Sequence, residues 1–272
     1  MSTSPVSNRI DTLFAQSQRP ILSVYYTAGF PHLQDTVSIL DALQHSGVDM
    51  VEIGIPFSDP IADGTVIQES SNCALRNGMT LYTLFEQLVG IRTYPTQPIT
   101  VPIVLMGYIN PILQYGVEKF CAACAEVGID GVIIPDLPVD VFIEEWKPLL
   151  HQHNIHYIAL IAPQTPDSRI SLLDSISSGF LYAVSSAGTT GNTVLLDSAR
   201  IAYFQRLQRL RREGNIRNPL LIGFGIHDNR SFEVASHYAD GAIIGSAFIK
   251  AIAHESSSTL PSRIHAFVHS IR

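Results

Sequence analysis

Two carboxylates and three glycine-rich runs carry the chemistry that can be read from this 272-residue chain. The first carboxylate lies in Val51-Glu52-Ile53-Gly54-Ile55-Pro56-Phe57-Ser58-Asp59-Pro60-Ile61-Ala62-Asp63-Gly64. Glu52 sits inside an apolar strand, where an ionised carboxyl is unfavourable unless it is paired or neutral. Two readings follow: a structural Glu bonded to a neighbouring strand, or an acid/base whose pKa burial has raised. Asp63 falls in the loop beyond, where Asp commonly forms turns. Two carboxylates near one strand end also suit divided roles, one moving a proton and the other remaining an anion. The glycine runs are Ser185-Ser186-Ala187-Gly188-Thr189-Thr190-Gly191, Gly223-Phe224-Gly225 and Gly245-Ser246. Each alone is what a turn requires. Together, at neighbouring strand ends, they offer backbone N–H groups to a phosphate.

Other chemistries find less support. The three lysines, Lys119, Lys147 and Lys250, fall within helical stretches, none at a strand end. A Schiff-base mechanism needs a desolvated lysine at the reacting carbonyl and is therefore disfavoured. His151, His153 and His156 cluster at the end of a helix, before the fifth strand and away from the C-terminal strand ends, and read as a solvated surface rather than a metal site. Cys121 and Cys124 lie in one helix with no second pair, which suits core packing. Trp146 reads as structural.

The elements that must position Glu52 and Asp63 are legible as a repeat. Short apolar runs occur at Ile21–Thr27, Met50–Ile55, Ile103–Tyr108, Gly131–Pro135, Tyr157–Ala162, Phe180–Ser185, Leu220–Phe224 and Ala242–Gly245. These eight are the pattern of parallel strands covered on both faces. Amphipathic stretches lie between them at Leu33–Ser46, Thr80–Arg92, Val117–Val127, Val141–His153, Asp167–Ser177, Asp197–Arg212 and Asn229–Tyr238. Gly47 fits the end of the first and Asp228 the N-cap of the last. Ile10–Ala15 is expected to close the barrel bottom, and Ser262–Ile271 to form a terminal helix. The repeat predicts either a closed barrel or an open doubly wound sheet. No Gly-x-Gly-x-x-Gly follows the first strand and no linker interrupts the repeat, which favours one (β/α)8 TIM barrel over residues 1–272. In that fold the chemistry lies at the C-terminal ends of the strands, where both carboxylates and all three glycine runs fall.

Composition agrees. Hydrophobic residues make up 46% of the chain and charged residues 15%, enough for a large core. A net charge of −7 gives no nucleic-acid footprint. No apolar run is long enough to span a bilayer. The polar segment Met1–Asn8 does not read as a secretory leader, and three cysteines suit a reducing compartment, so a cytoplasmic protein is expected.

The run from Glu52 to Gly64 resembles the signature of the tryptophan synthase α subunit family. Tyr26-Thr27-Ala28-Gly29-Phe30-Pro31, Met106-Gly107-Tyr108-Ile109-Asn110-Pro111, Pro135-Asp136-Leu137-Pro138, Gly188-Thr189-Thr190-Gly191, Gly223-Phe224-Gly225-Ile226 and Gly245-Ser246-Ala247 follow the family in order. The resemblance spans nearly the whole chain. It implies retro-aldol cleavage of indole-3-glycerol phosphate to indole and glyceraldehyde 3-phosphate. Glu52 would be the general acid/base, and Asp63 the anion that bonds the indole N–H. Tyr25, Tyr108, Tyr182, Thr190 and Phe224 would line the substrate, and Gly191, Gly225, Gly245 and Ser246 would contact phosphate. No cofactor or metal is implied in this chain. The implied partner is a PLP-dependent β subunit in an α2β2 assembly, with indole passed by a tunnel and Asp136 tied to communication between subunits. Loops Pro56–Gly64 and Ala187–Thr193 would close over the substrate, Thr190 meeting Asp63. Ser186 departs from relatives that carry Arg there, which removes a salt bridge from loop closure. Two other readings stay open: a different phosphate-binding barrel such as a phosphosugar isomerase, and a non-catalytic barrel that activates a β subunit.

Overall fold

The computed structural model describes residues 7–94, 97–184, 198–223 and 225–272. Thr190, Gly191, Phe224, Ser186 and the second closing loop lie outside the described residues. In order, the elements are α1 (Arg9–Gln16), β1 (Ile21–Thr27), α2 (Asp35–His45), β2 (Met50–Gly54), α3 (Thr65–Arg76), α4 (Leu81–Leu88), β3 (Ile103–Met106), α5 (Ile109–Tyr115) and α6 (Val117–Val127). Then come β4 (Gly131–Ile133) and α7 (Val139–Val141), which continues through a π-helical turn (Phe142–Trp146) into α8 (Lys147–Gln152). They are followed by β5 (His156–Tyr157), β6 (Leu160–Ile161), α9 (Asp167–Ile176), β7 (Leu181–Val184), α10 (Ser198–Arg212), β8 (Leu220–Gly223), α11 (Asn229–Tyr238), β9 (Gly241–Ile244), α12 (Ser246–Ile252) and α13 (Leu260–Ile271).

The strands pair in parallel in the order β5-β4-β3-β2-β1-β9-β8-β7-β6. The two ends of that order are halves of one chain segment. The fifth predicted strand is split at Ile158–Ala159, yet the Ile158 N–H still bonds the Val132 carbonyl at 3.0 Å and the Tyr182 N–H bonds the Ala159 carbonyl at 3.1 Å. The ring thus closes through residues 156–161, and the fold is the expected (β/α)8 barrel. Strands β1, β2, β8 and β9 are buried at every position, as strands inside a helix layer must be.

Local chemistry sets the ends of several helices. Gly47 adopts φ +85° just past α2, the left-handed turn that releases a helix. Asp228 caps α11 with a reciprocal Ser231 bond. Below the barrel, α1 packs Ile10 against Gly131 and Gly179. The Asn8 amide donates to the carbonyls of Asp130 and Asn154, both at 2.9 Å, at the strand entrances. α1 is therefore the floor that the sequence predicts.

Two features depart from the sequence reading. α3 has no counterpart among the predicted helices, because its buried face is Ile67, Ser70, Ser71 and Ala74, too small and polar to register as an apolar stripe. α5 likewise buries only Ile112. Cys121, Cys124 and Trp146 are fully buried, in keeping with structural roles. Among the described residues, no helix is long and apolar enough to cross a membrane.

Candidate active site

Parallel register places Tyr25 of β1 beside Glu52 of β2. Period-two alternation sends both inward, with Ser23 one step deeper on the same face of β1. Glu52 has no solvent exposure. The Ser23 Oγ donates to Glu52 Oε1 at 3.0 Å, and Oε2 has no hydrogen-bond partner among the described residues. Burial disfavours the charged form and raises Glu52 to about 8, the Ser23 bond pulling weakly the other way.

Asp63 lies in the loop between β2 and α3 and is 9% exposed. Burial raises it to about 6, and the bond from the Tyr108 hydroxyl opposes that rise. Tyr108, just past β3, also accepts the Ala62 N–H at 2.9 Å and packs on Phe57 with ring centroids 5.2 Å apart. From α3, Gln68 donates to the Asp63 carbonyl at 2.9 Å and the Pro60 carbonyl at 3.4 Å. Asp63 is thus held by its own loop, by Tyr108 and by α3.

Tyr25 and Tyr182 join the two carboxylates. Both are buried, and both phenols are raised above the ordinary tyrosine value, first by burial and then by the negative fields of Glu52 and Asp63. Their rings lie over Gly54 and Gly223, where any side chain would overlap the phenol. Those glycines serve close approach rather than a turn.

The phosphate candidates among the described residues follow β8 and β9. Gly225 has φ +79°, and Arg200 Nη1 of α10 stands 3.4 Å from where a Cβ on Gly225 would be. Gly245 borders the Tyr25 ring at 3.4 Å from such a Cβ, and Ser246 opens α12. Asp136, past β4, accepts the Ile109 N–H at 2.9 Å and so holds the start of α5 next to Tyr108.

Of the expected residues, Glu52, Asp63, Tyr25, Tyr108 and Tyr182 meet in one buried cluster, with Gly245 beside Tyr25; Gly225 and Ser246 end neighbouring strands. Ser23, Gln68, Phe57 and Arg200 were not singled out from sequence. Ser23 carried one signal, a small polar residue in an apolar strand two places before a pocket tyrosine. All three lysines are exposed, and Lys119 stacks on Tyr82 and Tyr115, which agrees with the exclusion of a Schiff base.

Two buried carboxyls gathered at the strand ends, with all three lysines exposed, suit a barrel enzyme of carboxylate chemistry rather than one that forms a lysine adduct. The family model for the tryptophan synthase alpha chain matches residues 13–269. The tryptophan synthase alpha chain of Flavobacterium psychrophilum is 51% identical, over 93% of this chain and 96% of the relative. That of Christiangramia forsetii is 52% identical, over 94% and 96%. The crystal structure of tryptophan synthase subunit alpha from Legionella pneumophila superposes with a TM-score of 0.83 at 31% identity, covering 98% of this chain and 97% of that one. The chain belongs to the tryptophan synthase alpha chain family. It is a carbon–carbon lyase of tryptophan biosynthesis, and the reaction of its family is the retro-aldol cleavage of indole-3-glycerol phosphate.

Proposed function

We propose that this chain performs its family's cleavage with Glu52 as the acid/base and Asp63 as the fixed anion. The observation that carries the reading is the unequal setting of the two carboxyls: Glu52 is fully buried with the Ser23 hydroxyl on one oxygen, and Asp63 sits in the loop beyond with the Tyr108 hydroxyl. At pH 7, Glu52 near 8 is mostly protonated and Asp63 near 6 is mostly ionised. Indole is a poor leaving group until its C3 is protonated. Glu52 gives its proton to C3, and the cation that spreads to the ring nitrogen is met by the Asp63 carboxylate. Glu52, now ionised, takes the proton of the adjacent glycerol hydroxyl. The C–C bond breaks with its electron pair returning to the ring, and the hydroxyl carbon becomes the aldehyde. Glu52 ends protonated, so the cycle closes without a cofactor in this chain.

Tyr25, Tyr108 and Tyr182 receive the indole, and Phe224 and Thr190 are assigned to the substrate by the family resemblance alone. Gly225, Gly245 and Ser246 receive the phosphate with Gly191, through backbone N–H groups. The partner is a PLP-dependent β subunit in an α2β2 assembly to which indole passes, and the chain works in the cytoplasm. Exposed Ile61, Leu113 and Ile143, in segments that follow β2, β3 and β4, support a docking face at the barrel mouth.

The test is indole release from indole-3-glycerol phosphate, with and without a cognate β subunit. Glu52→Gln should lower kcat by at least about 10²–10⁴-fold while the fold is kept, and Asp63→Asn should act in the same direction. Near-normal turnover by Glu52→Gln would remove the acid/base role. A chain that stimulates the β reaction yet releases no indole would be a binding module instead.

A further inference from the structure

We infer that Ser23 is the positioning residue of this site: its hydroxyl fixes Glu52 so that Oε2 alone gives and takes the proton. The inference rests on the acid/base role proposed for Glu52. Ser23 and Glu52 are both fully buried, so water does not substitute for their 3.0 Å bond. In the β1–β2 register Tyr25 lies opposite Glu52 and Ser23 opposite Met50. Ser23 therefore reaches Glu52 along the diagonal, from the floor side of the barrel. A single hydroxyl donor can engage only one carboxyl oxygen, and it engages Oε1. The proton of the neutral acid then resides on Oε2, the oxygen left without a partner among the described residues. A carboxyl held by one oxygen must break that bond to present the other, so the same geometry is favoured at the start of each turnover.

The bond also has a sign. The hydroxyl donates to the ionised carboxylate, favours that form, and limits how far burial raises Glu52. This eases the half of the cycle in which Glu52 must stay ionised long enough to accept the glycerol proton. The other titratable groups facing Glu52 are Tyr25 on β1, Tyr182 on β7 and Asp63 after β2, with Tyr108 behind Asp63. The bond to Oε1 comes from the Ser23 hydroxyl. On the β3 side the register partner is Val104, which is apolar.

The test compares Ser23→Ala, Ser23→Thr and Glu52→Gln with the unaltered full-length chain. Two readouts are needed: indole release across pH 5–10, and titration of carboxyl-labelled Glu52 by carbon NMR, with Glu52→Gln assigning the signal. Ser23→Ala should move the titration of Glu52, and the alkaline limb of kcat/KM, upward by about one pH unit. Near neutrality kcat should fall about tenfold with KM within about twofold. Ser23→Thr keeps the hydroxyl and should restore both; if its extra methyl prevents folding, the Ser23→Ala titration decides alone. An unmoved titration and profile in Ser23→Ala would overturn the inference. So would a fall in kcat with an unmoved titration, since that marks a packing defect. If Glu52→Gln itself turns over, the role of Glu52 fails first and Ser23 with it. If Glu52→Gln is inactive while Ser23→Ala behaves as the unaltered chain, Ser23 fails alone.

Discussion

A buried carboxyl whose pKa burial has raised must leave a mark on stability. Glu52 titrates near 4.5 in an ordinary setting and near 8 in the folded chain. Between those values the unfolded chain has released the proton and the folded chain still holds it, so stability falls as pH rises. The contribution is complete below pH 4.5 and gone once pH passes about 8. Asp63 behaves alike over the narrower window from 3.8 to about 6. A tenfold difference in proton affinity between the folded and unfolded chain is worth about 1.4 kcal/mol, so the loss is on the order of a few kcal/mol for Glu52. Glu52→Gln cannot ionise. Its melting temperature should therefore gain on the unaltered chain between pH 6 and pH 9, by roughly 2–4 °C per kcal/mol. A gap between the two melting curves that stays constant with pH would show that Glu52 is not held neutral. The buried carboxyl was legible in sequence because a lone Glu interrupts an apolar strand. Ser23 was not, because a serine there reads as a tolerated small residue until register places it against Glu52.

At the scale of elements, the two ends of the barrel do different work. The eight strand segments were readable from their apolar runs, and α1 as the floor from its short amphipathic pattern. α3 was not, because periodicity detects large apolar residues, and its inward face is built from Ser70, Ser71 and Ala74. Yet α3 supplies Gln68 to the loop bearing Asp63 and Ser70 to Thr27 at 2.6 Å, so a helix silent in sequence holds part of the candidate site. The floor is held differently, by charge. Buried Asp130 accepts from Arg9 and from Arg92, each at 2.9 Å, and from the Ile103 N–H at 2.8 Å. Removing one member of a buried ionic group leaves the other uncompensated, at about 3–5 kcal/mol. Asp130→Ala should therefore lower stability by about that amount in denaturant titrations, while kcat of the folded fraction stays unchanged. A loss of kcat without a loss of stability would mean that the floor and the mouth are coupled.

On the scale of the whole molecule, the parallel direction of all the strands collects every βα segment at one end. The apolar side chains left exposed there therefore bear on how a partner meets the active site. Leu113 on α5 is 54% exposed and Ile143 in the π-helical turn 41%. Each follows a strand of the half-ring β2–β4, on the side of the mouth where Tyr108 and Asp63 sit. Isolated exposed apolar residues are common on any surface, and two of them are a weak signal alone. Their shared end of the barrel and the family's β partner make the docking reading the stronger one. Asp136 belongs to the same region, and through the N-terminus of α5 it is one bond away from the segment bearing Tyr108. A partner resting on α5 would thus press on the segment that bears Tyr108, and a β subunit docked there would have a physical route to Asp63. Leu113→Asp and Ile143→Asp introduce a charge that a dry interface must desolvate. Each should weaken β-subunit binding by about tenfold or more. Indole release by the isolated chain should be unchanged, because neither side chain belongs to the catalytic cluster. The stimulation conferred by the β subunit should return at higher partner concentration. If both variants bind the β subunit as the unaltered chain does, the docking face lies elsewhere, and the route through α5 and Asp136 falls with it.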